Sequence, residues 1–269
     1  MVTVRFVLLI FVCIKFQICF SIPSSLVFKV KDQKSCNITV LADIPPPLRK
    51  GETLESRQRI DEILYWHWPR RRTSIVDDHK GKLSHNVEEN DRGIQYTYGE
   101  VTPLGVRQLI SAMGLYVKNN NIVFFDLGSG YGKLAAQMFL ENVSNVVVGV
   151  ELSRERHSIA MQSWKAVQRT LGLEDSDDHE KQRLYLVNRD ALDTDFGAAT
   201  HIYISSLCFP TYLKQSLGRK IANNAKNGHL KIVATLSDFQ VLEEGGWRKA
   251  THYVQMTWGN SLVRVYEKL

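Results

Sequence analysis

The sequence predicts an α/β fold: one domain on a mostly parallel sheet, with an antiparallel C-terminal hairpin and a small helical extension in front. Three observations predict it. From residue 95 onward, short apolar runs alternate with helical patterns, the order that gives a parallel sheet covered on both faces. The run at 122–126 breaks into "DLGSGYG" and then straight into a helical pattern. Two alternating segments, 251–258 and 261–268, flank Gly259-Asn260, a hairpin signal. The 269 residues, 44% hydrophobic and 23% charged, supply enough apolar surface for one such core.

In chain order, residues 52–68 read as a helix with Leu54, Ile60, Ile63, Leu64 and Trp68 near one face. "PRRRTSIVDDHKGK" (69–82) reads as a loop. Residues 103–117 form an amphipathic helix with Pro103 in its first turn. Strands follow at 122–126, 146–151, 184–188, 201–205 and 229–236. Helices at 131–141, 154–171 and 210–223 separate them, and 174–183 is a charged, solvated loop. The domain proper spans 95–269, and 22–94 is a partly helical extension that carries the stiff spacer Pro45-Pro46-Pro47.

Residues 1–21 place Arg5 ahead of nine apolar residues, then Lys15 and a mixed tail. A bilayer of about 30 Å needs roughly 20 apolar residues, so this run is too short to span one. It has the form of a cleavable signal peptide, with an uncleaved anchor or a misplaced start as the other readings. Cleavage would leave no membrane span and only Cys36 and Cys208, which make no disulfide framework or metal-ligand spacing. No metal site is expected. The address implied is the secretory pathway or an organelle. The formal charge of +6 falls to +4 without Arg5 and Lys15, which permits an acidic partner without demanding one.

The glycine turn carries the chemistry. In an open α/β sheet, ligands sit beyond the carboxyl ends of the strands. Gly128, Gly130 and Gly132 let the backbone approach a ligand there, and the next helix aims its free N–H groups at the same place. A phosphate loop would need glycine at 127 and Ser or Thr at 134, but both positions are leucine. The dinucleotide fingerprint would need glycine at 133, which is Lys133. Asp126 would repel a pyrophosphate and suits a cationic or hydroxylated group. Glu151, closing the second strand, can accept both hydroxyls of a ribose, and Asp190, closing the third, can meet an adenine edge. Three strand-end acids around a glycine turn match S-adenosylmethionine better than NAD.

With those residues in place, the sequence resembles the class I S-adenosylmethionine methyltransferases, whose domain is Rossmann-like. More narrowly, it resembles the non-SET histone-lysine methyltransferases of the disruptor of telomeric silencing type. "YGEVTPLGVRQLI" (98–110), "FFDLGSGYGK" (124–133) and "VVGVE" (147–151) carry the resemblance, which spans about residues 95–236. It implies that Tyr98, Glu100 and Thr102 close over the methionine end of the cofactor. It also implies that Asp126 and Gly128 hold the amino-acid part, Glu151 the ribose and Asp190 the adenine. The acceptor would be a protein lysine, by family a histone, and the address then nuclear.

Two departures bear on this. The family has glutamine after "DLGSGxG", where this chain has Lys133, and it has "NNFAF" where this chain has "SSLCF" (205–209). Ser206 can still hydrogen-bond but reaches less far than the family's asparagine. Tyr98, Ser206 and Phe209 are the candidate catalytic residues, and Tyr131 and Tyr212 are further aromatic faces for a sulfonium. A small-molecule acceptor, a non-histone protein in an organelle, or cofactor binding without catalysis remain open readings. "WHWPRRR" (66–72) interleaves aromatic and basic residues as a nucleic-acid contact would, but Asp77 and Asp78 dilute the charge and the favoured reading is a solvated loop.

Overall fold

The computed structural model describes residues 44–68, 99–115, 121–173, 183–226 and 228–269, all within the unit Ile38–Leu269. The signal-like segment, the arginine run after Trp68, Tyr98, the expected helix end at 116–117 and the acidic stretch 174–182 lie outside the described residues. Among the described residues no helix is long and apolar enough to cross a membrane.

Among the described residues seven strands form one sheet, in the order β3-β2-β1-β4-β5-β7-β6. They are β1 (Val123–Leu127), β2 (Val146–Glu151), β3 (Arg183–Asn188), β4 (His201–Ile204), β5 (Ile232–Thr235), β6 (Arg248–Met256) and β7 (Gly259–Glu267). The first five pair in parallel, while β7 runs antiparallel to β5 and β6 antiparallel to β7. The sheet grows from β1 in both directions, toward β2 on one side and β4 on the other. The crevice at the carboxyl end of β1 is therefore the switch point where a ligand is expected.

Alternation along β1 divides the core. Phe124 packs with Val106, Leu109, Met138, Tyr203 and Val263 on the face covered by α2 (Pro103–Ala112), α3 (Lys133–Leu140) and the hairpin. Phe125 and Leu127 turn to the other face, against Leu217, Ile221 and Leu242 of α5 (Thr211–Ala225) and α6 (Gln240–Glu244). Asp126 follows Phe124 by two residues and so shares the first face.

The extension packs as a third layer. Helix α1 (Leu54–His67) begins with a reciprocal cap between Thr53 and Ser56. It buries Ile63, Leu64 and the following Trp68 against Tyr131, Ala136 and, from α4 (Arg154–Leu171), Trp164 and Val167. Leu54, expected on that face, is exposed because the first turn extends past the domain. A network of charges docks the spacer before α1. Arg57 donates to the carbonyls of Pro46 and Pro47 at 2.9 and 3.0 Å and to Glu52, and Arg107 pairs with Asp61 at 2.8 Å and with Glu141. Burial works to raise the Glu52 carboxyl, but hydrogen bonds from Arg57 and Arg49 prevail and bring it down to about 2.

Several element bounds differ from expectation for local reasons. Helix α2 stops at Ala112, short of 117, because Gly114 turns left-handed at φ +71°. Helix α3 starts at Lys133, since Gly132 at φ +73° cannot be helical. Strand β5 is shorter than the run at 229–236. The hairpin turns at Thr257-Trp258, because Gly259 already pairs with Met256 and opens β7. Helix α6, five residues long, is too short to show a period in sequence.

Candidate active site

The site grows from the end of β1. After Leu127 the chain turns at Gly128, whose φ of +83° is open to glycine at little steric cost, and Gly128 N–H and Ser129 N–H donate to the Val150 carbonyl at 2.9 and 3.0 Å. Gly130 N–H then donates to Glu151 at 2.7 Å, and the other carboxylate oxygen of Glu151 accepts from Ser153 N–H at 2.8 Å. Glu151 thus binds the turn to the end of β2. Each of its oxygens keeps a lone pair, enough for a diol.

A cavity opens over this turn. Its wall includes Asp126, Gly128, Gly130, Lys133, Glu151, Asp190, Glu100 and Phe209, so the structure brings eight of the sequence-predicted site residues together. Asp126 is 2% exposed. Burial, and then the neighbouring Glu151 charge, push its carboxyl up to about 8. Among the described residues no donor reaches it. Asp190 is held by an Asx turn in which its carboxylate accepts Leu192 N–H at 2.8 Å. Glu100 and Lys133 form a 3.2 Å ion pair across the rim.

Other predicted residues fall elsewhere. Tyr98 lies outside the described residues. The Thr102 hydroxyl caps α2, accepting from Gly105 N–H at 3.0 Å and donating to the Gln255 side chain at 2.7 Å, and Thr102 is not on the cavity wall. Gly132 serves packing: a Cβ there would stand 3.0 Å from the Ala160 Cβ and 3.2 Å from Leu186. Ser206 is fully buried and off the wall. Its hydroxyl oxygen accepts from Leu236 N–H and Ser237 N–H at 3.2 and 3.1 Å, so it shapes the turn after β5 and does not face an acceptor. Tyr131 turns away to the α1 layer, while Tyr212 lines the cavity beside Phe209.

Sequence reasoning missed three parts of the wall. Trp258 reaches it from the hairpin turn, and an indole in a two-residue turn, where polar residues are usual, was the signal. Backbone bonds carry that turn to the loop before α2: Thr257 N–H to the Glu100 carbonyl at 2.8 Å and Thr102 N–H to the Gln255 carbonyl at 3.1 Å. Tyr203 lines the floor from β4, and Arg156 and Arg189 flank the end near Glu151 and Asp190.

A family model for histone methylation protein DOT1 matches residues 80–244. Comparison with curated proteins gives no match. Among solved structures, the chain is similar to an RNA methyltransferase from Salinibacter ruber in complex with S-adenosyl-L-homocysteine. That pair is 17% identical over 60% of this chain and 86% of the other, with a TM-score of 0.40. It is also similar to the B. subtilis m1A22 tRNA methyltransferase TrmK (13%, 60% and 65%, TM-score 0.43). A third is M. capricolum TrmK with S-adenosyl-homocysteine (11%, 60% and 67%, TM-score 0.39).

The protein is a methyltransferase whose cofactor is S-adenosyl-L-methionine. The cavity fits that molecule: Glu151 has free acceptors for a ribose, Asp126 is a buried carboxyl with no donor among the described residues, and Gly128 leaves its approach open. The match covers more than half the chain, and the protein belongs to the DOT1 family of histone methylation proteins.

Proposed function

We propose that the protein methylates a lysine side chain of a protein, with a histone as the first acceptor to test. The observation that carries this reading is the match of residues 80–244 to the histone methylation family. When bound, the cofactor supplies an electrophilic methyl group on a sulfonium. The chain's own part is to align and to exclude water. Asp126 and Glu151 fix the two ends of the cofactor's sugar and amino-acid portion. Phe209, Tyr212 and Trp258 make an aromatic wall on the open side. Such a wall desolvates an incoming amine, which favours the neutral, attacking form. It also presents ring faces to a cation. The acceptor amine is the nucleophile, so no side chain needs to form a covalent bond.

The signal-like residues 1–21 support a non-histone protein in the secretory pathway or an organelle as the second reading. The full chain, incubated with radiolabelled cofactor and offered nucleosomes, total cell extract and total RNA side by side, separates these. Glu151→Ala is the control. The expected result is label on a core histone that the control loses. Label confined to another protein keeps the lysine chemistry and moves the acceptor. Label on RNA or on small molecules alone overturns the proposal. Cofactor binding with no label anywhere marks a binding protein without turnover.

A further inference from the structure

We propose that Tyr203 is a cofactor-binding residue whose hydroxyl joins the Asp126 carboxylate in receiving the ammonium group of the cofactor's methionine portion. Asp126 and Tyr203 are register partners on β1 and β4, the strands that meet at the switch point, so their side chains leave the same face of the sheet. Both are 2% exposed and both belong to the wall of one cavity. The Tyr203 hydroxyl has no hydrogen-bond partner among the described residues, and no described donor reaches Asp126. Burial first, and then the Asp126 charge, push the Tyr203 phenol above its usual range, so it stays a neutral hydroxyl.

A buried hydroxyl left unpaired is costly, and folded proteins rarely keep one without a use. Here the use follows from what surrounds it. Two oxygen acceptors share one sheet face and one cavity wall, and among the described residues neither is given a donor. A ligand must therefore bring the donors, and an ammonium brings three. The order of the strands places that ammonium. Asp190 just past β3, Glu151 at the end of β2 and Asp126 one residue before the end of β1 follow one another across the sheet. An adenine at the first and a ribose at the second leave the amino-acid end over β1, and the next strand is β4 with Tyr203. The inference rests on the cofactor and is independent of the acceptor.

The test is a binding measurement on the full chain by calorimetry, with no turnover required. Tyr203→Phe removes one oxygen and nothing else. Three probes are used: S-adenosyl-L-homocysteine, its decarboxylated analogue, which keeps the ammonium, and 5′-methylthioadenosine, which has none. The expected result is about a tenfold loss of affinity for the first two and none for the third. Normal binding of methylthioadenosine also shows that the variant is folded. Unchanged affinity for all three probes overturns the proposal. Equal losses for all three overturn it too, because the hydroxyl would then support the fold and not the ammonium. Sensitivity confined to the homocysteine probe assigns the hydroxyl to the carboxylate and likewise overturns it. Wild-type protein that binds none of the probes contradicts the cofactor itself, a separate outcome.

Discussion

The Trp68 indole N–H donates to the Tyr131 carbonyl at 2.7 Å, and both residues are buried. Tyr131 sits inside the glycine turn, so the end of α1 holds the loop on which the cofactor rests. Trp68→Phe keeps most of the packing and removes a hydrogen bond to a buried carbonyl, at a cost of about 1–3 kcal/mol. We expect a lower melting temperature and a several-fold weaker cofactor affinity, with methyl-transfer chemistry otherwise intact. A variant that melts lower yet binds the cofactor as tightly as wild type would confine Trp68 to the layer it packs in. Trp68→Ala opens a cavity and costs about 3–5 kcal/mol.

Asp126 gives cofactor binding a pH dependence. Its carboxyl sits at about 8, raised by burial and by Glu151, so at neutral pH it holds a proton that a bound cation must expel. Affinity rises with pH toward 8 and falls beyond it, because an α-amino group itself deprotonates near about 7.7–8.0. The charged side chains that share this cavity wall are Glu100, Lys133, Glu151, Asp190, Arg156 and Arg189, with the neutral Tyr203 hydroxyl among them. In Asp126→Asn the rise on the acid side disappears and affinity drops. Titration calorimetry between pH 6 and 9 reads both, and a flat wild-type profile would contradict the protonated resting state.

His201 sets an acid limit on stability. Burial first, then the Lys231 charge, lower its imidazole to about 4. It accordingly stays neutral in the fold, beside Thr200 Oγ1 at 2.9 Å. Below about pH 6.5 the unfolded chain takes up a proton that the folded chain refuses, so stability is full above that value and declines as pH falls toward 4. The share lost between pH 7 and 5 is about 2 kcal/mol. Urea unfolding of wild type and His201→Asn at both values isolates it, and an equal pH response in the two proteins would contradict the assignment.

Lys133 stands where the family has glutamine, and in this fold it pairs with Glu100 on a half-open rim. Such pairs contribute about 0–1 kcal/mol. Lys133→Gln should therefore leave stability within that range and preserve cofactor binding. Loss of binding by a hundredfold or more would make Lys133 a direct ligand of the cofactor.

The parts of this site that were legible in the sequence are those fixed by backbone periodicity. A strand end is visible as the last residue of an apolar run, so Asp126, Glu151 and Asp190 could be placed on one edge of the sheet before any contact was known. The glycine turn was visible because few residues tolerate its φ angles. Side-chain direction was not legible. Ser206 looked like an acceptor contact, but the turn after β5 offers it two backbone N–H groups and takes the hydroxyl inward. Tyr131 looked like a face for the sulfonium, but the α1 layer, remote in sequence, buries it instead. Thr102 stands in the expected loop and is used as a helix cap. Trp258 was hidden because the register of the hairpin, whose turn falls two residues before the Gly-Asn signal, decides which residues form that turn.

The contact between Gly99 and Trp258 has a consequence for how the protein comes into being. A Cβ at Gly99 would stand 2.0 Å from the Trp258 ring, so the indole rests on bare backbone 159 positions away along the chain. Contacts across so long a loop cost more closure entropy than neighbouring strands do, and they form late. Strands β1, β2 and β3 with the glycine turn close early, from residues near one another. The seat for the methyl donor is thus drawn largely from neighbouring stretches of chain, whereas the door through which an acceptor enters is closed by two stretches far apart in sequence.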